Sequence, residues 1–300
     1  MKIAITGATG LVGQKLVNEL LKRNDEVIIL TRSVDKAKNV FPLASGFINW
    51  TGKVDEWFSQ LENVDVIINL AGENVMARRW NDEHKKKVYS SRIDGTKKLV
   101  DAISLLNKKP SVFISASAIG FYGNINKEVD EQSPVGNDFL AKVVQDWENA
   151  SAKIDELNIR RVLIRIGLVL SNKDGALPKL VLPFKFFVGG SLGSGNQWFS
   201  WIHIDDLVKI FLFAIDNPNL KGVYNATSPN PVTMKKFAKT LGKILHRPSF
   251  FNVPSFVLKI VLGEGADSIL NGAKVSSKKI CEAGFQFQFN DIETALKSLL

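Results

Sequence analysis

Three glycines at three-residue spacing, Gly7, Gly10 and Gly13, constrain this chain more than any other feature. They follow a short apolar run, Lys2-Ile3-Ala4-Ile5-Thr6, and open a segment from Leu11 to Lys22 in which Leu16, Leu20 and Leu21 recur at helical spacing. The order is strand, glycine turn, helix. In that order one glycine makes the tight turn, a second lets backbone N–H groups approach a pyrophosphate, and a third lets helix and strand pack closely. The dipole of the following helix favours the anion. An ordinary turn could carry the same glycines, but the setting between a strand and a helix points to a dinucleotide site. A Walker-type loop is excluded because no Gly-Lys-Ser/Thr follows.

Further β-rich segments recur at Glu26–Leu30, Phe47–Trp50, Val64–Leu70, Ser111–Ser115 and Arg160–Ile166, separated by helix-compatible stretches such as Asp82–Leu106 and Asp138–Leu157. Strands alternating with helices predict an α/β fold built on a doubly wound parallel sheet. After Gly167 the rhythm changes. Leu177–Val188 is apolar with two prolines, Gly189–Gly195 is a glycine-rich turn, and helical pieces follow at Asp205–Ile215, Thr233–Leu245 and Pro254–Leu262. Residues 1–170 are therefore expected to form the nucleotide-binding domain and 171–300 mainly a smaller C-terminal substrate lobe, with the chain returning to the sheet near 201–227. Pro183, Phe184, Phe186 and Phe187 make the 177–188 stretch a candidate lid, packed core being the commoner fate of such a run.

About 20 residues past the glycine turn, a cofactor without a 2′-phosphate would meet an Asp or Glu that accepts its ribose hydroxyls. Thr31-Arg32-Ser33 stands there instead. Arg32 can pair with a 2′-phosphate that a carboxylate would repel, so NADP(H) is expected rather than NAD; the other reading is a solvated arginine and a role for Asp35. Asn69-Leu70-Ala71-Gly72 ends a strand in small residues, as a cofactor lying across strand ends requires. On the next helix Val88, Thr96, Leu99 and Ile103 form an inward stripe on which Arg92 also falls. A buried guanidinium needs an anion, either a cofactor phosphate or a structural carboxylate. Arg165, at the end of a buried strand, poses the same choice.

Composition narrows the partners. The net charge of +9 is spread without any long Lys/Arg block, which suits a phosphate-bearing small molecule better than nucleic acid. One cysteine, Cys281, and three histidines, His84, His203 and His246, supply no zinc-type cluster, so no metal is expected. No apolar stretch approaches the roughly 18 to 20 residues that cross a bilayer. The glycine turn begins before a secretory apolar region could form, so a cytoplasmic protein with no membrane contact is expected.

Taken together, Thr6-Gly7-Ala8-Thr9-Gly10-Leu11-Val12-Gly13, Asn69-Leu70-Ala71-Gly72-Glu73-Asn74, Arg79-Trp80 followed by Ser91-Arg92, Tyr122-Gly123, and Trp201-Ile202-His203-Ile204-Asp205-Asp206 resemble the extended short-chain dehydrogenase/reductases. More narrowly they resemble the atypical branch labelled epimerase family protein, and Pro254 through Leu262-Gly263-Glu264 to Gly284-Phe285 is similar to that branch's C-terminal segment of unassigned role. The resemblance implies a Rossmann-type NADP-binding fold. It also implies cofactor contacts from Thr31, Arg32, Leu70, Ala71, Arg92 and Arg165, beside those of the turn itself (Thr6, Gly7, Gly10, Leu11, Val12, Gly13) and Gly72. A homodimer is expected by analogy with the superfamily alone.

Mainstream members use a tyrosine as general acid/base with a lysine four residues later, because an unassisted phenol titrating near 10 is a poor base at neutral pH. That pair is absent here. Four residues past Tyr89, Tyr122 and Tyr224 stand Ile93, Asn126 and Ser228, and Lys142 is preceded four positions earlier by Asp138. Registers anchored on Trp147-Glu148 put Phe139 or Leu140 where the tyrosine belongs. Ser117 is the better match, over Ser115, to the serine that polarises a substrate oxygen; its other reading is a strand-end cap. His203 precedes a helix that Asp205 or Asp206 would cap, which favours structural hydrogen bonding, yet its ordinary pKa suits proton transfer. The expected function is an NADP(H)-dependent oxidoreductase or epimerase-like enzyme for a small polar, nucleotide-sugar or carbonyl-bearing substrate. Ser117 would polarise the oxygen, and water, Asp138, Lys142 or His203 would move the proton. The rival is an NADP-binding regulator or scaffold without turnover.

Overall fold

The computed structural model describes residues 1–125 and 127–300. Its centre is a seven-stranded sheet in which every pairing is parallel. From one edge the strands are β3 (Gly46–Asn49), β2 (Glu26–Thr31), β1 (Lys2–Thr6), β4 (Val66–Asn69), β5 (Val112–Ala118), Arg160–Ile166 and Gly222–Ala226. The order runs outward from β1 in both directions, so the connections diverge between β1 and β4. Doubly wound sheets bind ligands in the crevice at that switch point, beyond the carboxyl ends of the strands.

Both faces of the sheet are covered, which is why its strands read as unbroken apolar runs rather than alternating ones. Ile3, Ile5, Val27, Ile29, Val66 and Ile68 pack into one core with Leu16, Val17 and Leu20 of α1 (Leu11–Lys22) and with the Ile204–Asp216 helix. Ala4, Ile28, Leu30, Ile67 and Phe113 face the other way, onto Leu99, Val100 and Ile103 of α3 (Asp82–Leu105). Between β2 and β3 lies the short α2 (Val34–Val40). The stretch expected as one helix over 138–157 divides into α4 (Phe139–Asn149) and a short Lys153–Glu156 helix. The Glu148 carbonyl at the break accepts from Ser151 Oγ at 2.8 Å and Arg161 Nη1 at 3.3 Å, side-chain donors that compete with the helical ladder.

A third core, separate from the sheet, holds the remainder together. Leu177, Val181 and Phe184 of the Ala176–Lys185 helix meet Phe237 and Leu241 of Met234–Leu245 and Leu296 and Leu299 of the C-terminal Ile292–Leu299 helix. Between these lobe segments the chain comes back to the sheet, through Ile204–Asp216 on its face and Gly222–Ala226 at its edge. Among the described residues no helix is long and apolar enough to cross a membrane.

Candidate nucleotide site

The carboxyl ends of β1, β2, β3 and β4 open onto a cavity of about 560 Å³. Gly7, Gly10, Thr31, Arg32, Leu70, Ala71 and Gly72 of the sequence-predicted set line it. The glycine turn is shaped by close approach. Gly7 has φ +70°, and a Cβ there would lie 2.6 Å from the Leu70 carbonyl group; a Cβ on Gly13 would lie 2.3 Å from the Gly7 oxygen. Helix α1 follows Gly10 at its N-cap position, whose missing side chain leaves the first turn uncapped, and no acidic residue sits in that turn. Free helical N–H groups and the positive dipole end thus meet the cavity with no competing anion.

Thr6, Leu11, Val12 and Gly13 do not line the cavity, and three of them, Thr6, Val12 and Gly13, brace it from behind. Thr6 Oγ1 donates to Asn69 Oδ1 at 2.8 Å and accepts from Leu70 N and Ala71 N at 3.2 Å each. Asn69 Nδ2 donates onward to Thr96 Oγ1 at 2.9 Å, which also accepts from Trp147 Nε1 at 3.0 Å. This chain of satisfied, buried groups ties β1, β4, α3 and α4 together directly behind the cavity-lining turn. Gly13 is the close-packing glycine, and Val12 packs against the sheet core.

At the far end of the cavity Arg32 is exposed and makes neither an ion pair nor a side-chain hydrogen bond among the described residues. Asp35 lies in the first turn of α2, outside the lining. Sequence reasoning missed the opposite wall: Trp50 and Thr51 beyond β3, and Ser91, Asp94, Gly95 and Lys98 on α3. The last four form a stripe beside the buried one, and the available signal was Gly95, a glycine midway along a long helix. Lys98 Nζ donates to the carbonyls of Trp50 at 2.8 Å and Thr51 at 3.0 Å, and also to that of Gly52, holding this wall in place.

The two arginines that sequence reasoning treated alike part company. Arg92 lies against cavity-lining Gly72, where a Cβ would come 3.1 Å from its guanidinium carbon. Its partners are uncharged: the Glu73 carbonyl at 2.9 Å, the Val88 carbonyl at 3.1 Å and the Trp147 ring at 5.2 Å. Burial pulls its pKa down to about 10, the attraction of the Glu73 carboxylate opposing part of that shift, so it stays protonated at neutral pH without a direct carboxylate hydrogen bond among the described residues. Arg165 is elsewhere. It is buried on the strand beyond β5 and donates through Nε and Nη2 to both oxygens of Glu148, each at 2.8 Å. Of its two alternatives the structure supplies the carboxylate.

The residues weighed for catalysis are each occupied. Ser117 Oγ donates to Glu148 Oε1 at 2.5 Å, joining the Arg165 cluster, and is buried. Tyr122 accepts from Arg165 Nη1 at 3.0 Å and donates to Asn225 Oδ1 at 2.7 Å. Burial pushes its pKa up to about 12, so the phenol keeps its proton. Lys142 sits on the exposed side of α4 and pairs with Asp146 at 3.3 Å. Asp138 caps α4 by accepting from Ala141 N at 2.9 Å. Neither expected aspartate caps the helix after residue 203. His203 does so itself, Nδ1 accepting from Asp205 N at 3.1 Å, because the helix begins at Ile204. Its ring stacks on Phe289 at 3.8 Å and meets Ser298 Oγ at 3.1 Å through Nε2, and burial lowers its pKa. Where a tyrosine would stand, the Phe139 ring packs edge-on against Trp80, centroids 5.6 Å apart. The structure thus brings a glycine-turn cradle together but assembles no acid/base pair from these groups.

Comparison with known proteins agrees with this architecture. Residues 3–227 match the model of the NAD dependent epimerase/dehydratase family, and residues 253–299 match a domain of unknown function (DUF1731). The chain is 42% identical to an epimerase family protein SDR39U1 homolog, chloroplastic, of Arabidopsis thaliana over its whole length and 87% of that protein. It is 41% identical to an epimerase family protein of Staphylococcus haemolyticus, over 99% of this chain and 98% of the relative. The crystal structure of human epimerase family protein SDR39U1 (isoform2) with NADPH superposes with a TM-score of 0.89 at 33% identity, covering 100% of this chain and 99% of that one. With a glycine-turn cradle on a parallel sheet and three quarters of its length under one family model, this chain belongs to the NAD dependent epimerase/dehydratase family.

Proposed function

We propose that the cavity binds NADP(H), with the 2′-phosphate on Arg32, and that the chain is an oxidoreductase or epimerase-like protein acting in the cytoplasm on a small polar or nucleotide-sugar substrate. The observation that carries the reading is Arg32, an exposed guanidinium without a protein partner among the described residues, at the end of a cradle whose glycine positions a Cβ would fill. The residues fit the group. Gly7, Gly10 and the uncapped start of α1 would hold its pyrophosphate, Thr31 and Arg32 its phosphorylated ribose, Trp50 and the α3 stripe its adenosine end. Arg92, protonated behind Gly72, adds positive potential, partly offset by Glu73. The NADPH in the structure of the human relative supports the same choice. A bound nicotinamide would supply hydride transfer; the chain's own contribution is to bind and orient.

A second reading, a nucleotide-binding regulator without turnover, is favoured by one observation: Ser117, His203, Lys142 and Tyr122 are all engaged in structural bonds. Titration calorimetry with NADPH and NADH tests the shared premise. The wild type should prefer NADPH, and Arg32→Ala should weaken NADPH about 10- to 100-fold, the loss of a charge-assisted contact worth about 1.5–3 kcal/mol, while leaving NADH unchanged. Equal affinities in the wild type, or an unaltered variant, would refute it. Oxidation of bound NADPH by any member of a panel of aldehydes, ketones and nucleotide sugars selects the enzyme; tight binding without oxidation selects the regulator.

A further inference from the structure

Of the fourteen large apolar side chains exposed among the described residues, nine lie in two short segments of the lobe, 182–188 and 250–261. The first is the tip after the Ala176–Lys185 helix, where Phe186 is 70% exposed and Phe187 and Val188 stand beside it. Phe187 holds φ +62°, a backbone region that bulky side chains rarely adopt. The second contains Phe250 and Phe251 and then the Ser255–Leu262 helix, none of whose eight residues is buried; Phe256 and Ile260 are 65% and 67% exposed. The segments adjoin. Phe251 N donates to the Gly189 carbonyl and Val253 N to the Ser191 carbonyl, while the Arg247 guanidinium lies 4.3 Å from the Phe187 ring centre. Exposed apolar side chains concentrated in this way mark a contact site.

The charge around it is mainly positive, with Glu264 and Asp267 just beyond the second segment. Residues 175–204 contain Lys179 and Lys185 and no acid, and residues 217–263 contain six lysines, Arg247 and no acid. Carboxylates from other elements reach only Lys243, paired with Glu293, and Lys259, paired with Asp267, among the described ion pairs. Lys179, Lys185 and Arg247 are exposed and have no such partner among the described residues. A second copy placing the same patch against itself would set these cations against their equivalents. Aromatic and aliphatic side chains projecting from a loop tip and a short surface helix, ringed by Lys and Arg, suit a negatively charged lipid surface.

We infer that this face docks the protein peripherally on anionic bilayers, the apolar side chains entering the headgroup boundary and the basic ring meeting lipid phosphates. The expectation of no membrane contact rests on the absence of a spanning segment, which this mode of contact does not need. Sedimentation with phosphatidylcholine vesicles containing about a quarter phosphatidylglycerol, against phosphatidylcholine alone, is the test. Wild-type protein should partition about tenfold more strongly onto the anionic vesicles and release in high salt. The Phe250→Asp/Ile260→Asp and Lys185→Glu/Arg247→Glu variants should each lower partitioning about tenfold, with NADPH affinity retained as the measure of an intact fold. Equal sedimentation with both vesicles, or anionic binding indifferent to the apolar variant, overturns the inference. A wild-type dimer in ultracentrifugation that Phe250→Asp/Ile260→Asp makes monomeric also overturns it, by assigning the face to a second copy.

Discussion

Glu148→Ala should destabilise the protein more than any surface substitution, and its size follows from the cluster it leaves behind. Both carboxylate oxygens face Arg165 at 2.8 Å, and the guanidinium is 3% exposed. Without Glu148, Arg165 keeps, among the described residues, the Tyr122 hydroxyl at 3.0 Å, the Tyr122 ring, and the Phe121 ring, 3.4 Å from its central carbon. Stranding a buried cation in this way costs about 3–5 kcal/mol. The Ser117 hydroxyl also loses its acceptor, for about 1 kcal/mol more. With an unfolding entropy of about 2.1 cal/mol/K per residue, a chain of 300 residues drops about 1.6 °C per kcal/mol, so the melting midpoint should fall by roughly 6–10 °C. Urea denaturation and thermal melts of Glu148→Ala, Glu148→Met, Arg165→Met and Glu148→Met/Arg165→Met measure it. The double variant, which removes both charges and refills their volume, should lose only about 1–2 kcal/mol. A single variant costing under about 1 kcal/mol, or single losses that simply add in the double variant, would refute the assignment of a buried pair. NADPH titration of the same variants separates a structural role from a cofactor contact. A stable double variant that keeps its affinity leaves Arg165 a frame residue, whereas a tenfold loss would return it to the cofactor.

Two further predictions probe the cradle and the lobe. Gly13→Ala places a Cβ 2.3 Å from the Gly7 oxygen and 2.7 Å from Ala8 Cα, both rigid backbone, so stability should fall by about 1–3 kcal/mol and NADPH affinity at least tenfold. Gly10→Ala, whose nearest contact is 3.3 Å, should be milder in both denaturation and binding titrations, and equal effects would undo the close-packing argument. For His203 the folded pKa lies below 6.5, chiefly through desolvation, so its neutral form is favoured on folding. Its contribution is complete above about 6.5 and is lost as pH falls from there toward the folded pKa, because the unfolded chain takes the proton first. His203→Asn keeps a capping acceptor and removes that slope. Denaturation from neutral pH to about 5 should therefore show wild type losing stability faster than the variant, and parallel curves would contradict a buried neutral imidazole.

The sequence by itself determined the sheet and its cradle. Strands buried on both faces must be continuous apolar runs, and a turn that admits a pyrophosphate must lack Cβ atoms. Both requirements are local, so Lys2–Thr6, Glu26–Thr31 and the Gly7, Gly10 and Gly13 spacing announce themselves within a few residues. Arg32 was legible for the same reason, since it follows the second strand directly. What the tertiary structure decided concerns partners distant in the chain. Arg92 and Arg165 look alike in sequence, yet one rests on carbonyls beside Gly72 and the other is neutralised by a carboxylate from α4. Ser117 reads as a substrate-polarising hydroxyl or a strand-end cap until Glu148 is seen to hold it. The 177–188 run reads as core or lid because hydropathy records transfer preference, not whether another element arrives to cover the side chain. Leu177, Val181 and Phe184 found such cover, and Phe186, Phe187 and Ile260 did not, because covering a residue requires a neighbour that only the folded chain can bring.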